Sequence, residues 1–384
     1  MKPETPLQRR VYNFIRERID SRELLPGQQL PTEQELSEYL QVSRITAHRA
    51  LQRLAKEGLI QRFPGKGSFV AEAAATEVAR PTPHMAGAAP EHPGASRLLG
   101  FICPAVSDDF GLDVLASAIA RAEEHGWSMI VSFTHQSQAA EEAAIQRAVR
   151  AGVKGLLVNP VYGEYYSDQL LSLHLRQFPL VLVDKRLDKI PIPYVSTDNR
   201  AAAYDLTRHL IDLGHRKIGF ISPGVTATAT LEDRFAGYLA ALEDHRIPYD
   251  HTLNLSSLPT GGGVNCPQEQ DVYQTIRHYL LEHRELTAVL ITEYVFAGII
   301  CELCRELQKQ IPEDLSVVCF DSPRSAPFMK FTHIDQQQAE IGRTAVDMLL
   351  DLIEGKQPTD SSVQLPGQLV VGHSSGRAPA GFAT

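Results

Sequence analysis

Basic side chains are concentrated in one stretch of this 384-residue chain, from Tyr39 to Val70. Six Lys and Arg residues stand there against the single acidic residue Glu57: Arg44, Arg49, Arg53, Lys56, Arg62 and Lys66. Such groups neutralise phosphates, and an Arg can also donate two hydrogen bonds to the edge of a guanine. The chemistry that this pattern indicates is the binding of double-stranded DNA.

The overall charge of the chain conceals this basic stretch. The net charge is -9, which by itself argues against a nucleic-acid partner. Residues 1–72, however, carry 12 Lys and Arg against 9 Asp and Glu, a net charge of +3, whereas the remaining residues carry 25 against 37, a net charge of -12. A basic segment on an acidic protein is typical of a DNA-binding unit whose partner domain avoids DNA.

Local signals around this stretch predict a winged helix-turn-helix. Thr32 and Glu35 have the spacing of a capping box, so a helix is expected to begin here. Ser43 is a suitable N-cap for a second helix, whose apolar positions follow the 3.6-residue period: Ala47, Ala50, Leu51 and Leu54. The runs LIQRF and SFV flank a turn containing Lys66 and Gly67, which indicates a β-hairpin. The basic face of the second helix would enter the major groove of DNA.

Composition divides the chain into two folded units and a connecting segment. A helix with the sequence LQRRVYNFIRERIDS completes the winged unit, which is predicted to span residues 1–72. Residues 73–96 are rich in Ala, Pro and Gly and contain almost no large apolar side chains, so they are predicted to form a linker. Residues 97–376 form the second unit, and residues 377–384 a short tail.

Short apolar runs alternate with amphipathic helical patterns throughout residues 97–376. Runs such as LLGFIC, SMIVSF, GLLV, LVLVD, KIGFIS, AVLIT and SVVCF are typical of buried parallel strands. Strand and helix repeated this often predict an α/β fold with doubly wound parallel sheets, and the length predicts two lobes. The carboxyl ends of the strands would then face a cleft, where ligands of such folds bind.

Several polar and aromatic residues follow these strands and are candidates for the lining of the cleft. The candidates selected by position are Asp108, Asp109, Phe110, Asn159, Tyr162, Asp184, Arg186 and Gln336. Phe110 could stack on the apolar face of a sugar ring, or it could be an ordinary core residue. Asp184 and Arg186 could instead form a salt bridge at the hinge between the lobes.

Three classes of protein are compatible with a two-unit α/β chain: a DNA-binding regulator, an enzyme and a solute-binding protein. We find no nucleophile with a positioned base, which disfavours an enzyme, and no export signal, which disfavours a solute-binding protein. No apolar run approaches the ~20 residues of a membrane span. Five cysteines without a framework predict a cytoplasmic location, and the C-x-x-C pair Cys301 and Cys304 is interpreted as core thiols. No cofactor and no metal ion are expected.

The motifs LLPGQQLPTEQELSEYLQVSRITAHRAL, LAKEGLI and GKGSFV resemble the GntR superfamily of winged-helix regulators. The resemblance implies a set of DNA-contacting residues: Thr32, Gln34, Ser43, Arg44, Thr46, His48, Arg49, Lys66 and Gly67. The family usually has Arg where this chain has Gln34 and His48. We therefore expect Arg44, Arg49 and the wing to make a larger share of the contacts.

Residues 97–376 resemble the effector domain of LacI/GalR repressors, which has the type-I periplasmic-binding-protein fold. The matching motifs include STDNRAAAYDLTRHLIDLGHRKIGFI, IPEDLSVVCFDS and THIDQQQAEIGRTAVDMLLDLIEG. The resemblance implies that Arg234 and Asp321 hold a ligand, and a donor fork beside a carboxylate suits the hydroxyls of a neutral polyol. Glu293 and Tyr294 replace the usual Asn-Asp pair; Glu293 could accept hydroxyl hydrogen bonds or favour a partly cationic ligand, and Tyr294 could stack.

A GntR-type unit joined to a LacI-type unit resembles arabinose-type repressors, which favours a pentose as the effector. We therefore expect a cytoplasmic homodimeric repressor that binds a palindromic operator and is released when a sugar closes the two lobes. The same residues are compatible with an activator, with a corepressor instead of an inducer, and with a nucleotide or amino acid as the effector.

Overall fold

The computed structural model divides the chain into two compact units, Met1–Glu91 and His92–Thr384, called here the head and the body. The structure describes residues 11–12, 14–16, 28, 30–39, 42–56, 59–63, 67–70, 97–161, 167–187, 190–224, 228–258, 269–323, 330–356 and 362–380. The predicted linker up to residue 96, Lys66, Tyr162 and the last four residues of the predicted tail lie outside the described residues. The predicted domain boundaries stay predictions.

The head has the predicted winged helix-turn-helix arrangement. It contains α1 (Glu33–Tyr39), α2 (Arg44–Lys56), β1 (Ile60–Phe63) and β2 (Gly67–Val70). The two strands are antiparallel, with Ile60 opposite Val70, as expected for the wing. The apolar side chains of α2 are buried together with residues of the preceding helical segment, namely Val11, Tyr12 and Ile15. The 3.6-residue period of α2 thus marks its core-facing side, and its polar side is left for other contacts.

The body consists of two lobes, each built on a six-stranded sheet. In the first lobe the strands are β3 (Leu98–Cys103), β4 (Ser128–Phe133), β5 (Gly155–Val158), β6 (Leu180–Val183), β7 (Tyr194–Thr197) and β13 (Ser362–Leu365). They are all parallel, in the order β13-β7-β6-β5-β3-β4. The helices of this lobe are α3 (Leu112–Glu124), α4 (Gln138–Arg150), α5 (Asp168–Leu175) and α10 (Gln338–Ile353).

The second lobe repeats this design. Its strands are β8 (Ile218–Pro223), β9 (Asn254–Leu258), β10 (Ala288–Ile291), β11 (Ser316–Phe320), β12 (Thr332–Asp335) and β14 (Gln368–Val370), in the order β14-β12-β11-β10-β8-β9. Only β14 is antiparallel to its neighbour β12. The helices are α6 (Asn199–Asp212), α7 (Ala229–Asp244), α8 (Glu269–Glu282) and α9 (Tyr294–Glu306).

Helices cover both faces of the first sheet, as the continuous apolar runs of its strands require. Leu157 and Val181 belong to the core that includes side chains of α3 and α10. Their neighbours Leu156 and Leu182 belong to a second core that includes side chains of α4 and α5. Successive residues of one strand thus serve opposite faces, which confirms the predicted doubly wound fold.

The chain passes between the lobes three times: after β7, after β12 and after β13. Because every crossing lies next to strand ends, the residues that follow the strands of both lobes are brought to one cleft. Among the described helices, none is long and apolar enough to span a membrane.

Candidate DNA-binding face and effector cleft

Helix α1 begins with the capping box that the sequence predicts. Glu35 Oε2 accepts hydrogen bonds from the Thr32 backbone N–H at 2.7 Å and from the Thr32 hydroxyl at 2.9 Å. The Thr32 hydroxyl in turn accepts one from the Glu35 backbone N–H at 3.2 Å. These bonds to the carboxylate hold the pKa of Glu35 below its ordinary value. The first turn of α1 is therefore fixed from both sides.

The turn between α1 and α2 is fixed in a similar way. Ser37 donates its hydroxyl to the Val42 carbonyl at 2.6 Å, and the Val42 N–H donates to the Ser37 carbonyl at 3.0 Å. Ser43 caps α2, because its hydroxyl oxygen accepts from the Thr46 N–H at 3.2 Å and lies 2.8 Å from the Thr46 hydroxyl. The start of α2 is thus held in a defined direction relative to α1.

Four of the nine predicted DNA contacts lie on α2. Arg44 and Arg49 are exposed there, whereas Thr46 and His48 are half-buried. Arg44 Nη2 also donates to Gln34 Oε1 of α1 at 2.5 Å. The predicted residues Thr32, Gln34, Ser43, Arg44 and Thr46 are thereby brought together near the N-termini of the two helices. As DNA contacts they stay predictions.

Not every basic residue of the head belongs to this exposed side. The guanidinium carbon of Arg53 lies 4.2 Å from the ring centroid of Tyr12, a cation–π contact between α2 and the first helical segment. Gly67 opens β2 opposite Phe63 and so marks the wing.

In the body, Arg234 lies in the second turn of α7 and is only 5% exposed. Its guanidinium donates to Asn199 Oδ1 at 2.8 Å, to the Thr292 carbonyl at 2.6 Å and to Gln336 Oε1 at 3.3 Å. Its guanidinium carbon also lies 3.7 Å from the centroid of the Phe320 ring. Arg234 therefore connects the ends of three segments of the second lobe. Its contact with a bound ligand stays a prediction.

Asp321 and Gln336 form a buried pair at the ends of β11 and β12. Gln336 Nε2 donates to Asp321 Oδ2 at 2.6 Å, whereas Asp321 Oδ1 is buried and has no hydrogen-bond partner among the described residues. Burial raises the pKa of Asp321 well above its ordinary range; Arg234 and the Gln336 hydrogen bond oppose this rise, and Asp109 adds to it. The carboxyl group therefore keeps its proton to higher pH than an exposed carboxyl group does, and its protonated form can both donate and accept hydrogen bonds.

Two carboxyl groups occupy equivalent places in the two lobes. Asp184 follows β6 with φ 70°, and Asp321 follows β11 with φ 62°. The left-handed backbone is uncommon for residues other than Gly, and such conformations are concentrated at functional sites. Burial also raises the pKa of Asp184, against the influence of Lys185 and Arg234. Both lobes thus present a buried carboxyl group at a strained strand end.

Lys185 is a cleft residue that sequence reasoning missed. It is 6% exposed, and its ammonium group donates to the Pro160 carbonyl at 3.0 Å. Burial lowers its pKa, and three carboxylates oppose this shift, in the order Asp184, Glu293 and Glu141. Because Glu293 belongs to the second lobe, the charges of Lys185 and Glu293 interact across the cleft.

Two direct contacts join the lobes at the same place. Arg186 of the first lobe forms a two-pronged ion pair with Asp233 of α7, with one long contact of 3.2 Å. The Thr230 hydroxyl donates to the Asp184 carbonyl at 3.1 Å. The salt bridge that the sequence left open for Asp184 and Arg186 is formed instead between Arg186 and Asp233 of the other lobe, and a contact of Arg186 with the ligand stays a prediction. We call the four residues Asp184, Arg186, Thr230 and Asp233 the latch.

The remaining candidates lie on the opposite side of the cleft. Phe110 is half-buried and packs against the core of the first lobe, while Gln338 bridges the Asp109 carbonyl and the Gly111 N–H at 2.8 Å each. Tyr294 meets the ring of Phe331 edge-on at 5.7 Å. Burial raises the pKa of Tyr294, and Asp109 contributes to the rise. Asp109 of the first lobe thus lies near Tyr294 of the second lobe.

A cavity of about 680 Å³ opens on this side, and Asp109 and Asp321 both line it. Acidic groups predominate in its lining: Asp108, Asp109, Asp113, Asp321, Asp335 and Glu340 stand against Lys330, His333 and Arg343. Within the described part of the chain, no group of three or more His, Cys, Asp or Glu residues is arranged to bind a metal ion.

Some of the cleft residues that were missed could have been predicted from the sequence, and others could not. Lys185 directly follows the predicted strand LVLVD, and Asn199 opens the helix after STD, so the rule that strand ends face the cleft would have found both. Glu141 lies within α4, where nothing in the helical pattern distinguishes it from a solvated residue. Its burial and its hydrogen bond from the Val161 N–H at 2.8 Å depend on tertiary packing.

Comparisons with known proteins agree with this architecture. Residues 7–70 match the family described as bacterial regulatory proteins, gntR family, and residues 207–375 match the periplasmic binding protein-like domain. The chain is 28% identical to the arabinose metabolism transcriptional repressor of Geobacillus stearothermophilus over 345 residues, which cover 88% of each chain. It is also 28% identical to the HTH-type transcriptional repressor PurR of Yersinia pestis bv. Antiqua (strain Antiqua), over 74% of this chain and 81% of that one.

A solved structure shares the fold of the body. The transcription regulator CcpA of Lactococcus lactis superposes with a TM-score of 0.64 at 22% identity, covering 73% of this chain and 99% of that chain. The periplasmic-binding-protein-like fold expected for the body is thereby confirmed.

Proposed function

We propose that this chain is a DNA-binding transcriptional regulator, in which a GntR-type winged helix-turn-helix is joined to a periplasmic-binding-protein-like domain, and that it is a repressor released from its operator by a small sugar. The sugar binds between the two lobes of the body. The observation that carries the sugar site is Asp321 Oδ1, a buried oxygen without a partner among the described residues, beside the 680 Å³ cavity. A buried polar atom of this kind is costly unless a ligand or water satisfies it.

The charges of the cleft favour an uncharged ligand. Its buried and half-buried cations are already engaged by the protein: Arg234 by three acceptors, Arg186 by Asp233, and Lys185 by the Pro160 carbonyl and nearby carboxylates. The cavity lining is acidic on balance, so a phosphate or carboxylate on the ligand would be repelled. Hydroxyl groups can donate and accept at once, which suits a carboxyl group that keeps its proton to higher pH than an exposed one does.

The relatives support a pentose and supply the alternative. The Geobacillus protein is named for arabinose metabolism, which favours a pentose as the effector. The Yersinia relative is a repressor named PurR, and its similarity keeps an effector of another class, such as a nucleotide, as the second candidate.

The proposed mechanism links the cleft to DNA through closure of the lobes. A ligand that contacts both lobes prefers the closed body, and it can shift the protein only by its difference in affinity for the two states. We propose that the protein acts as a cytoplasmic homodimer, whose two heads occupy the halves of a palindromic operator. Coupling of ordinary strength would lower operator affinity by about 5- to 150-fold.

Two measurements test this proposal. In the first, fluorescence anisotropy follows binding of the full chain to DNA from upstream of its own gene, and the complex is expected to be sequence-selective and to weaken steeply with salt. Failure to form a selective complex at any salt concentration would refute the regulator.

In the second, thermal shift and anisotropy are repeated with L-arabinose, D-xylose, D-ribose, D-ribose 5-phosphate, AMP and hypoxanthine. One neutral sugar is expected to raise the melting temperature and release the DNA, because only a ligand of the folded state stabilises by mass action. A response to AMP or hypoxanthine alone would replace the sugar by the alternative class. DNA binding strengthened by the ligand would make it a corepressor.

A further inference from the structure

A hydrogen bond between two exposed side chains joins the helices of the head. Arg44 Nη2 donates to Gln34 Oε1 at 2.5 Å, and the two residues are ten positions apart in the chain. Gln34 belongs to the first turn of α1 and Arg44 is the first residue of α2. The contact thus lies at the end of α2 that would point into the major groove.

Both ends of this contact have a rigid support. Gln34 lies between Thr32 and Glu35, whose side chains cap α1 reciprocally. Arg44 directly follows Ser43, whose hydroxyl caps α2. Because neither backbone can shift without breaking a cap, the amide of Gln34 restricts the guanidinium of Arg44 to a narrow range of positions.

The amide is chemically suited to hold a guanidinium without neutralising it. An amide oxygen accepts a charge-assisted hydrogen bond and carries no net charge, so Arg44 keeps its full positive charge for DNA. A carboxylate at this position would cancel that charge, and a second guanidinium would repel it. A planar guanidinium held in one orientation also loses less freedom when it binds a base edge.

We propose that Gln34 is a positioning residue for Arg44, which it orients for contact with one base pair of each operator half. This inference rests on the proposed DNA-binding function and extends it to the origin of operator specificity. In this arrangement Gln34 acts through Arg44. The competing arrangement, in which Gln34 reads an adenine directly with its own amide, is also chemically sound, and it predicts different behaviour of paired variants.

The test is a double-mutant cycle in the full chain on an operator chosen by selection from a randomised duplex library. Gln34→Ala is expected to weaken binding by roughly tenfold, within the range for one Arg–base contact. It is also expected to relax the preference at one base pair of each half and leave the others unchanged. Arg44→Ala is expected to relax the same base pair, and adding Gln34→Ala to Arg44→Ala is expected to change nothing further.

Two further variants separate positioning from a general structural role. Gln34→Glu keeps an acceptor for Arg44 but adds a negative charge, so it is expected to keep the base preference while lowering affinity and making binding less dependent on salt. Ile60→Val trims a buried side chain of β1 and is the structural control: it is expected to lower the melting temperature of the head without changing any base preference.

The outcomes distinguish this inference from the function on which it rests. Additive losses in the cycle, or relaxation by Gln34→Ala and Arg44→Ala at different base pairs, would overturn the positioning role and leave the regulator intact. Identical base preferences for Gln34→Ala and for the unmodified chain would also overturn it. If the unmodified chain selects no sequence at all, the proposed function fails and this inference fails with it.

Discussion

The proposed DNA-binding face of the head and the cleft of the body both contain arginines. The arginine of the head is exposed and that of the cleft is buried, so their charges have opposite surroundings. In the head, Arg44 is exposed and donates a hydrogen bond to the neutral amide of Gln34. In the cleft, Arg234 is buried and donates to three protein acceptors beside two carboxyl groups, Asp184 and Asp321. A phosphate-rich partner requires available positive charge, whereas a neutral ligand requires a fixed pattern of donors and acceptors.

The two regions also differ in how far apart in sequence their contacts lie. The side-chain hydrogen bonds that fix the N-terminal ends of α1 and α2 join residues three to ten positions apart, as in Thr32–Glu35 and Gln34–Arg44. In the cleft, Arg234 donates to residues 35, 58 and 102 positions away. The head can therefore form its face from local signals, while the cleft exists only after both lobes have folded.

Among substitutions in these two regions, Arg234→Ala is expected to have the largest effect on stability. The substitution leaves the acceptors on Asn199 and Gln336 without their buried donor, so the free energy of unfolding of the body is expected to fall by about 3–5 kcal/mol. The response to the effector is expected to be lost, while the head still binds DNA. Urea unfolding and operator anisotropy measure the two effects.

Arg200→Ala is the matched control for this substitution. Arg200 is exposed at the start of α6, near Asn199 in sequence, and its loss is expected to change the unfolding free energy by less than about 0.5 kcal/mol. If both variants unfold alike, the contacts of Arg234 do not stabilise the cleft, and the contrast with the exposed arginines of the head disappears.

The second expected effect is a change in the pH dependence of stability caused by Asp321→Asn. Asn tolerates the left-handed backbone and can still pair with Gln336, but it cannot ionise. Because burial holds the folded-state pKa of Asp321 above the ordinary 3.8, the folded state binds more protons than the unfolded state above pH 3.8. Stability supplied by this group is therefore present at low pH and lost as pH rises through the folded-state pKa.

Unfolding by urea at pH 5 and pH 8 measures this linkage. Asp321→Asn is expected to be more stabilising, or less destabilising, at pH 8 than at pH 5, relative to the unmodified chain. Asp271→Asn, at an exposed position of α8, serves as the control and is expected to show no such difference. An equal effect of Asp321→Asn at both pH values would mean that the buried carboxyl group ionises like an exposed one.

The same contrast explains how much the sequence could predict. The capping box, the N-cap at Ser43 and the wing follow from residue types at fixed short spacings, and the structure has each of them. The long apolar strands β3, β5 and β11 were equally readable because both of their faces are buried. Strands such as β9 and β13 were missed, since NLSSL and SVQL are mixed in polarity and only partly buried.

The sequence predicted which residues lie near the cleft, but it did not predict their hydrogen-bond and charge partners. Strand-end reasoning and family resemblance placed Arg234, Asp321 and Gln336 in one region, and the hydrogen bonds among them agree with that placement. Neither source could reveal that Arg234 is already engaged by the protein, or that Lys185 lies among carboxylates of both lobes. Such facts depend on the relative position of segments that are distant in sequence, which short-range patterns do not encode.

The smallest effect on stability is expected for substitutions in the latch. The Arg186–Asp233 ion pair joins the lobes but is partly exposed, with 26% and 21% of the two side chains accessible. Its contribution to the free energy of unfolding is therefore expected to stay below about 1 kcal/mol. Because these contacts join the two lobes, we expect Asp233→Asn to favour opening and to weaken effector binding by roughly threefold to tenfold. The charge-exchanged pair, Arg186→Asp with Asp233→Arg, is expected to recover most of the effector affinity that either change alone removes.

Isothermal titration with the sugar that releases the DNA measures this recovery, and Asp271→Asn again provides the control. Equal affinities for all variants would mean that the latch holds the lobes together in both states, and that closure is governed by Lys185, Glu293 and the ligand itself.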